Sequence, residues 1–470
     1  METIKLKLRQ TSDHYFRATL DHREEQEGFL PPMPPELAES LKNWQSTYRQ
    51  LEDVRSYIAP KPGLRSSTST VSDQCSSDYR LTPKRVTYHN NSSYADDVKI
   101  YLNQWLNTQD SHWSSIREAF ILIASQSHRD QDQPLILLDV HDIKLCRLPW
   151  QEWNLFETCD LQAEIALRVK GQPGDDIKPP RRLRKVRILV VVGRSDGIRT
   201  EDDLKVIQKL EAKGAEVVTL IQPTVRDLCE ALWDKEGYHI FVFTGHSGSQ
   251  DDGQIGWIEV NEKDSLSIEE FKHALKAAID RGLQLAIFNS CDGLGLANQL
   301  AKLNLPRSIV MREPVPDQVA IEFLTHFFAA FTDDHSLFAS IHKARKQLEH
   351  FSIPQETKTF YPGVMWLPVL CIRQSALNQT LTWKGLIRPS LPVFSPTVTH
   401  ALSVFAGMAI ALTGLMTVQL SHLLPQPSSS PIASSPISVP EGNWRSGGST
   451  TWAPLRSQIY KWIQQTHPTF

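Results

Sequence analysis

The spacing of apolar positions changes character twice along this chain. Leu37, Leu41, Trp44, Tyr48 and Leu51 recur three or four residues apart, the stripe of an amphipathic helix. Residues 1–35 before them mix charges and close on Pro31-Pro32-Met33-Pro34-Pro35. Residues 60–93 hold Ser-Ser-Thr-Ser-Thr and Asn-Asn-Ser-Ser and read as a flexible loop. Two more amphipathic helices follow, one through Val98, Tyr101, Leu102, Trp105 and Leu106, the other through Ile116, Phe120 and Ile123. At Pro134 the pattern shortens. Leu135–Leu138 is an apolar run of strand length, Leu161–Val169 is a second strand candidate, and Gly171–Arg184 reads as a linker.

From Val186 strands and helices alternate. Val186–Val192, Val217–Ile221, Ile240–Phe243, Leu285–Phe288, Ser308–Met311 and Met365–Ile372 are the strand candidates. The helices between them run through Leu204 and Leu210, Val225 and Leu232, Phe271 and Ile279, Leu294 and Leu303, then near 317–332 and 335–350. Ser267 and Glu270 form an S-x-x-E capping box, and Asp317 is the expected N-cap of its helix. Short strands separated by helices predict an α/β fold with a mostly parallel sheet covered on both faces. In such sheets chemistry gathers beyond the carboxyl ends of strands. No period of 20–50 residues signals a repeat array.

Charge alters this picture at one place. The 470-residue chain is close to neutral, with a formal charge of −3, so wholesale nucleic-acid binding is not expected. Yet the 52 residues between Arg388 and Glu441 contain no Asp, Glu, Lys or Arg. Within them Ala401–Leu420 is 20 residues long, enough as a helix to cross about 30 Å of hydrocarbon. A single C-terminal transmembrane helix over 401–420 is expected, after a proline-marked linker (376–400) and before a Pro/Ser-rich tail (421–470). Lys384 and Arg388 precede it and the next cation is Arg445, which places the N-terminal catalytic part in the cytoplasm. Cys75, Cys146, Cys159, Cys229, Cys291 and Cys371 are scattered without zinc-ligand spacing. Reduced thiols are expected, with no metal site and no organic cofactor.

Two strand ends carry candidate chemistry. Phe241-Val242-Phe243-Thr244-Gly245-His246-Ser247-Gly248 delivers an imidazole into a loop of small residues, and Ala286-Ile287-Phe288-Asn289-Ser290-Cys291-Asp292-Gly293 delivers a thiol just before a helix. The helix dipole favours the thiolate there. His246 could act as acid and base, and the N–H groups of Gly248 and Cys291 could receive an oxyanion. Glycines 245, 248 and 293 would let a peptide approach the backbone.

These residues carry a resemblance. FVFTGHSG, LAIFNSCDGLGLANQLAKLNLP, SIVMREPVPDQVA and MWLPVLC, with the upstream LPWQEW at 148–153, resemble the CHAT peptidase family of caspase-like proteases, in the form common in cyanobacteria, over roughly 95–375. His246 stands 45 residues before Cys291, near the spacing of about 50 in caspases. The resemblance implies a caspase-like fold with His246 and Cys291 as catalytic residues. It divides the chain into a helical N-terminal region (1–94), an N-terminal half of the CHAT domain (95–184) and a catalytic half (185–375). The expected function is a membrane-anchored cysteine endopeptidase cleaving protein substrates in the cytosol, in signalling, with partner proteins reaching the N-terminal helical region. The alternative is a catalytically silent scaffold that binds protein partners. Relatives that cut after basic residues often carry an acid two positions before the nucleophile. Here that position is Asn289, and Asp292, Glu313 and Asp317 are the nearby acids, each equally explained as a loop charge or cap.

Overall fold

Thr3–Leu30, expected as the start of a helical region, is three β-strands. β1 (Thr3–Gln10), β2 (Phe16–Asp21) and β3 (Glu25–Leu30) form an antiparallel meander. The reason lies in the residues: Ile4, Leu6 and Leu8 are buried and alternate with Lys5, Lys7 and Arg9, a period of two that only a strand presents on one face. The computed structural model describes residues 3–51, 54, 88–127, 134–161, 163–171, 179–250, 253–290, 293–353 and 360–387.

The helical region begins after the meander. α1 (Pro35–Tyr48) buries Leu37, Leu41, Trp44 and Tyr48, as the periodicity predicts. α2 (Tyr88–Leu106) starts inside the stretch expected to be loop, and α3 (Ser111–Ser127) follows. α3 crosses β3 so closely that a Cβ at Gly28 would lie 2.3 Å from the His112 carbonyl oxygen.

β4 (Leu135–Asp139), α4 (Ile143–Arg147), α5 (Asn154–Thr158) and β5 (Glu164–Val169) come next. The LPWQEW segment between α4 and α5 is core. Trp153 is fully buried and packs against Trp113 and Phe120. Trp150 donates to the Leu145 carbonyl at 2.7 Å.

The remaining elements follow the expected alternation: β6 (Val186–Val192), α6 (Thr200–Gln208), β7 (Ala215–Ile221), α7 (Val225–Leu232) and β8 (Ile240–Thr244). Next come β9 (Ser247–Ser249), β10 (Gly256–Glu259), β11 (Ser265–Ser267), α8 (Lys272–Asp280), β12 (Leu285–Asn289) and α9 (Leu294–Lys302). β13 (Arg307–Met311), α10 (Asp317–Thr332), α11 (Leu337–Gln347) and β14 (Pro368–Arg373) complete the set. The Ser267–Glu270 capping box is present, with Ser267 N donating to Glu270 at 2.7 Å. Asp317 is not a cap. It is the first residue of α10, capped by Pro316, and its carboxylate accepts from the Arg199 backbone N–H at 3.2 Å.

One sheet of eleven strands runs β3-β2-β1-β4-β5-β14-β13-β12-β8-β6-β7. β6, β7, β8, β12 and β13 are parallel, as are β1, β4, β5 and β14, but β14 lies antiparallel to β13. The two halves therefore end on opposite rims. The carboxyl ends of β8 and β12 share one rim, and those of β4 and β5 lie on the other. β9, β10 and β11 make a separate antiparallel sheet beyond the end of β8.

Among the described residues no helix is long and apolar enough to cross a membrane. Ala401–Leu420 and the Pro/Ser-rich tail lie outside the described residues, as do Cys75, Cys291 and Asp292.

Candidate active site

β8 and β12 are neighbours, with Thr244 opposite Asn289. Their exits are therefore adjacent at one rim. All five residues of each strand are buried, so the polar residues that follow are presented from a rigid, dry floor. Gly245 makes the exit from β8 with φ 145°, and a Cβ there would stand 3.0 Å from the Arg194 carbonyl oxygen. Glycine is required at that turn.

His246 is held from both sides of its backbone. Its N–H donates to Arg194 O at 3.0 Å, and its carbonyl accepts from Glu259 N at 2.9 Å. The ring is buried, and Nε2 lies 3.0 Å from the Asp196 carbonyl oxygen. That carbonyl can only accept, so Nε2 carries the proton and donates. In the neutral ring Nδ1 is then the basic nitrogen.

Across the rim, Ser247 Oγ donates to Ser290 Oγ at 2.7 Å, and both residues are buried. The bond joins the residue after His246 to the residue before Cys291. The chain beyond is fixed again at once. Gly293 N donates to Met311 O at 2.9 Å, and Gly295 N donates to Ser249 Oγ at 2.9 Å. Cys291 and Asp292 are thus bracketed by anchored residues, just ahead of α9, whose cap is Gly293.

The glycines do different work from that expected. A Cβ at Gly248 would lie 2.5 Å from the Trp257 ring, and one at Gly293 would lie 2.9 Å from Val310 Cβ. It is the protein's own atoms that approach closely there. Gly248 is opposite Trp257, between the hydrogen-bonded pairs His246–Glu259 and Gln250–Ile255. Hydrogen-bonded pairs alternate along an antiparallel ladder, so the Gly248 N–H is directed at Trp257. The Ser247 N–H is turned to the other edge of β9.

Sequence reasoning missed three parts of this site. The Asp196 carbonyl belongs to the backbone, and no side-chain pattern could signal it. The Ser247–Ser290 bond joins two residues without individual signature. Glu259 is fully buried opposite His246, and neither carboxylate oxygen has a hydrogen-bond donor among the described residues. Its strand was read only as the interval between β8 and a capping box.

Glu313, like Asp317, has structural partners. Glu313, fully buried, accepts from Gln45 Nε2 at 2.5 Å, Arg49 Nε at 2.7 Å and Arg147 Nη1 at 2.9 Å. It fastens α1 and the end of α4 to the loop after β13. Next to it Arg312 donates to the Leu148 carbonyl at 2.6 Å, so the LPW segment braces the same loop. Burial pushes the Cys146 thiol up to about 11 and raises Cys371 further, and desolvation also raises Cys159 and Cys229.

The structure is similar to that of the Drosophila initiator caspase Dronc, at 12% identity and a TM-score of 0.32, covering 47% of this chain and 95% of that one. It is also similar to the complex of pro- and mature domains of Porphyromonas gingivalis RgpB, at 10% identity and a TM-score of 0.36, covering 61% and 77%. No curated protein matches the chain. Residues 100–388, well over half of the sequence, match the CHAT domain. That span contains His246, Cys291 and every strand from β4 to β14, and the chain belongs to the CHAT domain family.

Proposed function

We propose that this protein is a cysteine endopeptidase with Cys291 as nucleophile and His246 as acid and base. The observation that carries the reading is the hydrogen bond from His246 Nε2 to the Asp196 carbonyl, which leaves Nδ1 as the proton acceptor. The Cys291 thiol gives its proton to Nδ1, and the sulfur attacks the carbonyl carbon of the scissile peptide. The oxyanion is received by the N–H groups of Cys291 and Ser247. Ser247 replaces Gly248 in this role because the Gly248 N–H is directed into the β9–β10 ladder. The imidazolium then protonates the leaving amine, and a water deprotonated by the imidazole hydrolyses the thioester. Support comes from the family, from the adjacency of the two strand exits and from the Ser247–Ser290 bond.

We further propose that Ala401–Leu420 anchors the enzyme in a membrane with the catalytic part in the cytoplasm, where it cleaves signalling proteins. The charge-free stretch of 52 residues supports this, since its length suits one span.

The test is the purified full chain with a thiol-reactive peptide probe and a proteome-derived peptide library. Cys291 labels selectively, and Cys291→Ala abolishes cleavage. Equal labelling of Cys146, Cys159 and Cys229, with undiminished cleavage by the variant, would overturn the reading in favour of a binding scaffold. The anchor is tested separately: extraction from washed membranes by carbonate without detergent would refute it.

A further inference from the structure

A cavity of about 270 Å³ lies between α9, α4 and the sheet face formed by β5 and β14. Leu294, Asn298 and Lys302 of α9 line it, four residues apart and therefore one stripe of that helix. Gln299, on the neighbouring stripe, instead accepts from Gly256 N at 3.0 Å. α9 leaves β12 at the rim of the candidate active site and returns to the start of β13. Leu294 therefore lies toward that rim and Lys302 toward the opposite one.

The cavity is divided chemically. Leu294, Leu167, Val169 and Cys371 are buried and give it an apolar floor. Arg168, Lys170 and Lys302 give it cationic walls, with His141 beside them, and no carboxylate lines it among the described residues. The acids behind the walls already have partners, Arg168 and, at 4.0 Å, His141 among those of Asp139. Asp139 is bridged by both Arg9, at 2.7 Å, and Arg168, and Asp142 caps α4 by accepting from Lys144 N at 2.8 Å. Lys170 and Lys302 have no ion-pair partner among the described residues. Burial lowers the His141 pKa, Arg9 and Lys170 lower it further, and Asp139 opposes them.

We propose that this cavity binds a small amphiphilic anion, an acidic head on a short apolar body, with Lys170 and Lys302 holding the head and the apolar floor taking the body. Lysine ammonium groups suit a carboxylate or phosphate head as point charges, and concave sites of this size with few convergent polar groups suit small ligands. The occupant rests on Leu294, the first residue of α9 and the third after Cys291 in the chain. Binding therefore bears on the segment that carries the thiol, from the opposite rim of the sheet.

Calorimetry on the full chain, with octanoate and octyl phosphate below their micellar concentrations, tests this without any turnover. A failure here is thus distinct from a failure of the peptidase reading. Both anions bind, octylamine and inorganic phosphate bind at least about tenfold more weakly, and Lys170→Gln/Lys302→Gln loses about tenfold or more in affinity. That variant alters two exposed side chains, and an unchanged melting curve confirms its fold. The ligand also changes the rate of Cys291 alkylation in the wild type but not in the double variant. Absence of binding at millimolar concentration, equal binding of octylamine or inorganic phosphate, or unchanged affinity in the double variant would overturn the proposal. An alkylation rate insensitive to a bound anion would overturn its effect on Cys291.

Discussion

Ser247 and Ser290 share a buried hydroxyl–hydroxyl hydrogen bond of 2.7 Å, and through it the exits of β8 and β12 are held at one spacing. A net hydrogen bond contributes about 0.5–1.5 kcal/mol, while an orphaned buried partner costs about 1–3 kcal/mol. Ser290→Ala is therefore expected to lower stability by about 1 kcal/mol or more. Turnover falls more steeply, because the thiol and imidazole lose their common reference. Denaturant melts and peptide cleavage on Ser247→Ala, Ser290→Ala and the double variant give the coupling energy. Simple additivity of the two single effects would show that the bond does not tie the strand ends.

The thiols should separate by pH. Burial holds Cys146 near 11 and Cys371 higher, and both are protonated at neutral pH. Iodoacetamide at pH 7 followed by mass spectrometry should leave both almost unmodified while Cys291 reacts. Cys146 becomes reactive only as the pH approaches 11. Fast labelling of Cys146 at pH 7 would contradict its burial.

Glu259 places a carboxylate on the same face of the ladder as His246, since opposed residues in an antiparallel pair share a face. A buried carboxylate without a donor costs stability, and its benefit is to the imidazolium formed in the reaction. Glu259→Gln is expected to lower kcat several-fold with KM little changed, read from steady-state peptide cleavage. An unchanged kcat would refute the assignment.

The fully buried Glu313 joins Arg49 and the mostly buried Arg147 beside the rim. Removing the acid leaves Arg147 without its carboxylate, and breaking a buried pair in this way costs about 3–5 kcal/mol. Glu313→Ala should lose that order of stability, and Arg49→Ala less, because Arg49 is half exposed. Urea denaturation at neutral pH measures both. A loss of under about 1 kcal/mol for Glu313→Ala would show that the cluster is not a fastening.

His239, at the start of β8, titrates downward in the fold. Burial lowers its pKa first, the bond to the Arg181 carbonyl opposes this, and Arg187 lowers it further. Its Nδ1 accepts from Arg187 N at 2.9 Å, a bond only the neutral ring can make. The unfolded state therefore takes up the proton more readily. The contribution is complete above the ordinary value of 6.5 and is lost as the pH falls below it through the lower folded value. The stability difference between wild type and His239→Asn should shrink over that interval in urea titrations. A difference that grows on acidification would reverse the sign of the shift.

The catalytic half was legible because its strands are wholly buried runs of Val, Ile, Leu and Phe separated by capped helices. Val186–Val192 and Val225–Leu232 have the bounds or limits their sequences indicate. The β1–β3 meander was equally visible as alternation in Ile4-Lys5-Leu6-Lys7-Leu8, but its charge hid it. Asp317 looked like a cap because it stands before an apolar run, and the neighbouring Pro316 takes that place. The site was half legible. His246 and Cys291 follow buried strands, whereas the Asp196 carbonyl and Glu259 depend on which backbone segments cross at the rim, and residue identity alone does not encode that.

The reversal at β14 has a consequence for how such a chain can change. In a wholly parallel sheet every functional loop competes for space at one rim. Here an insertion after β4 or β5 lengthens only the far rim, and one after β8 or β12 only the near rim. Chain growth on one side can thus remodel what the protein recognises without moving the strand ends that place His246 beside the segment of Cys291.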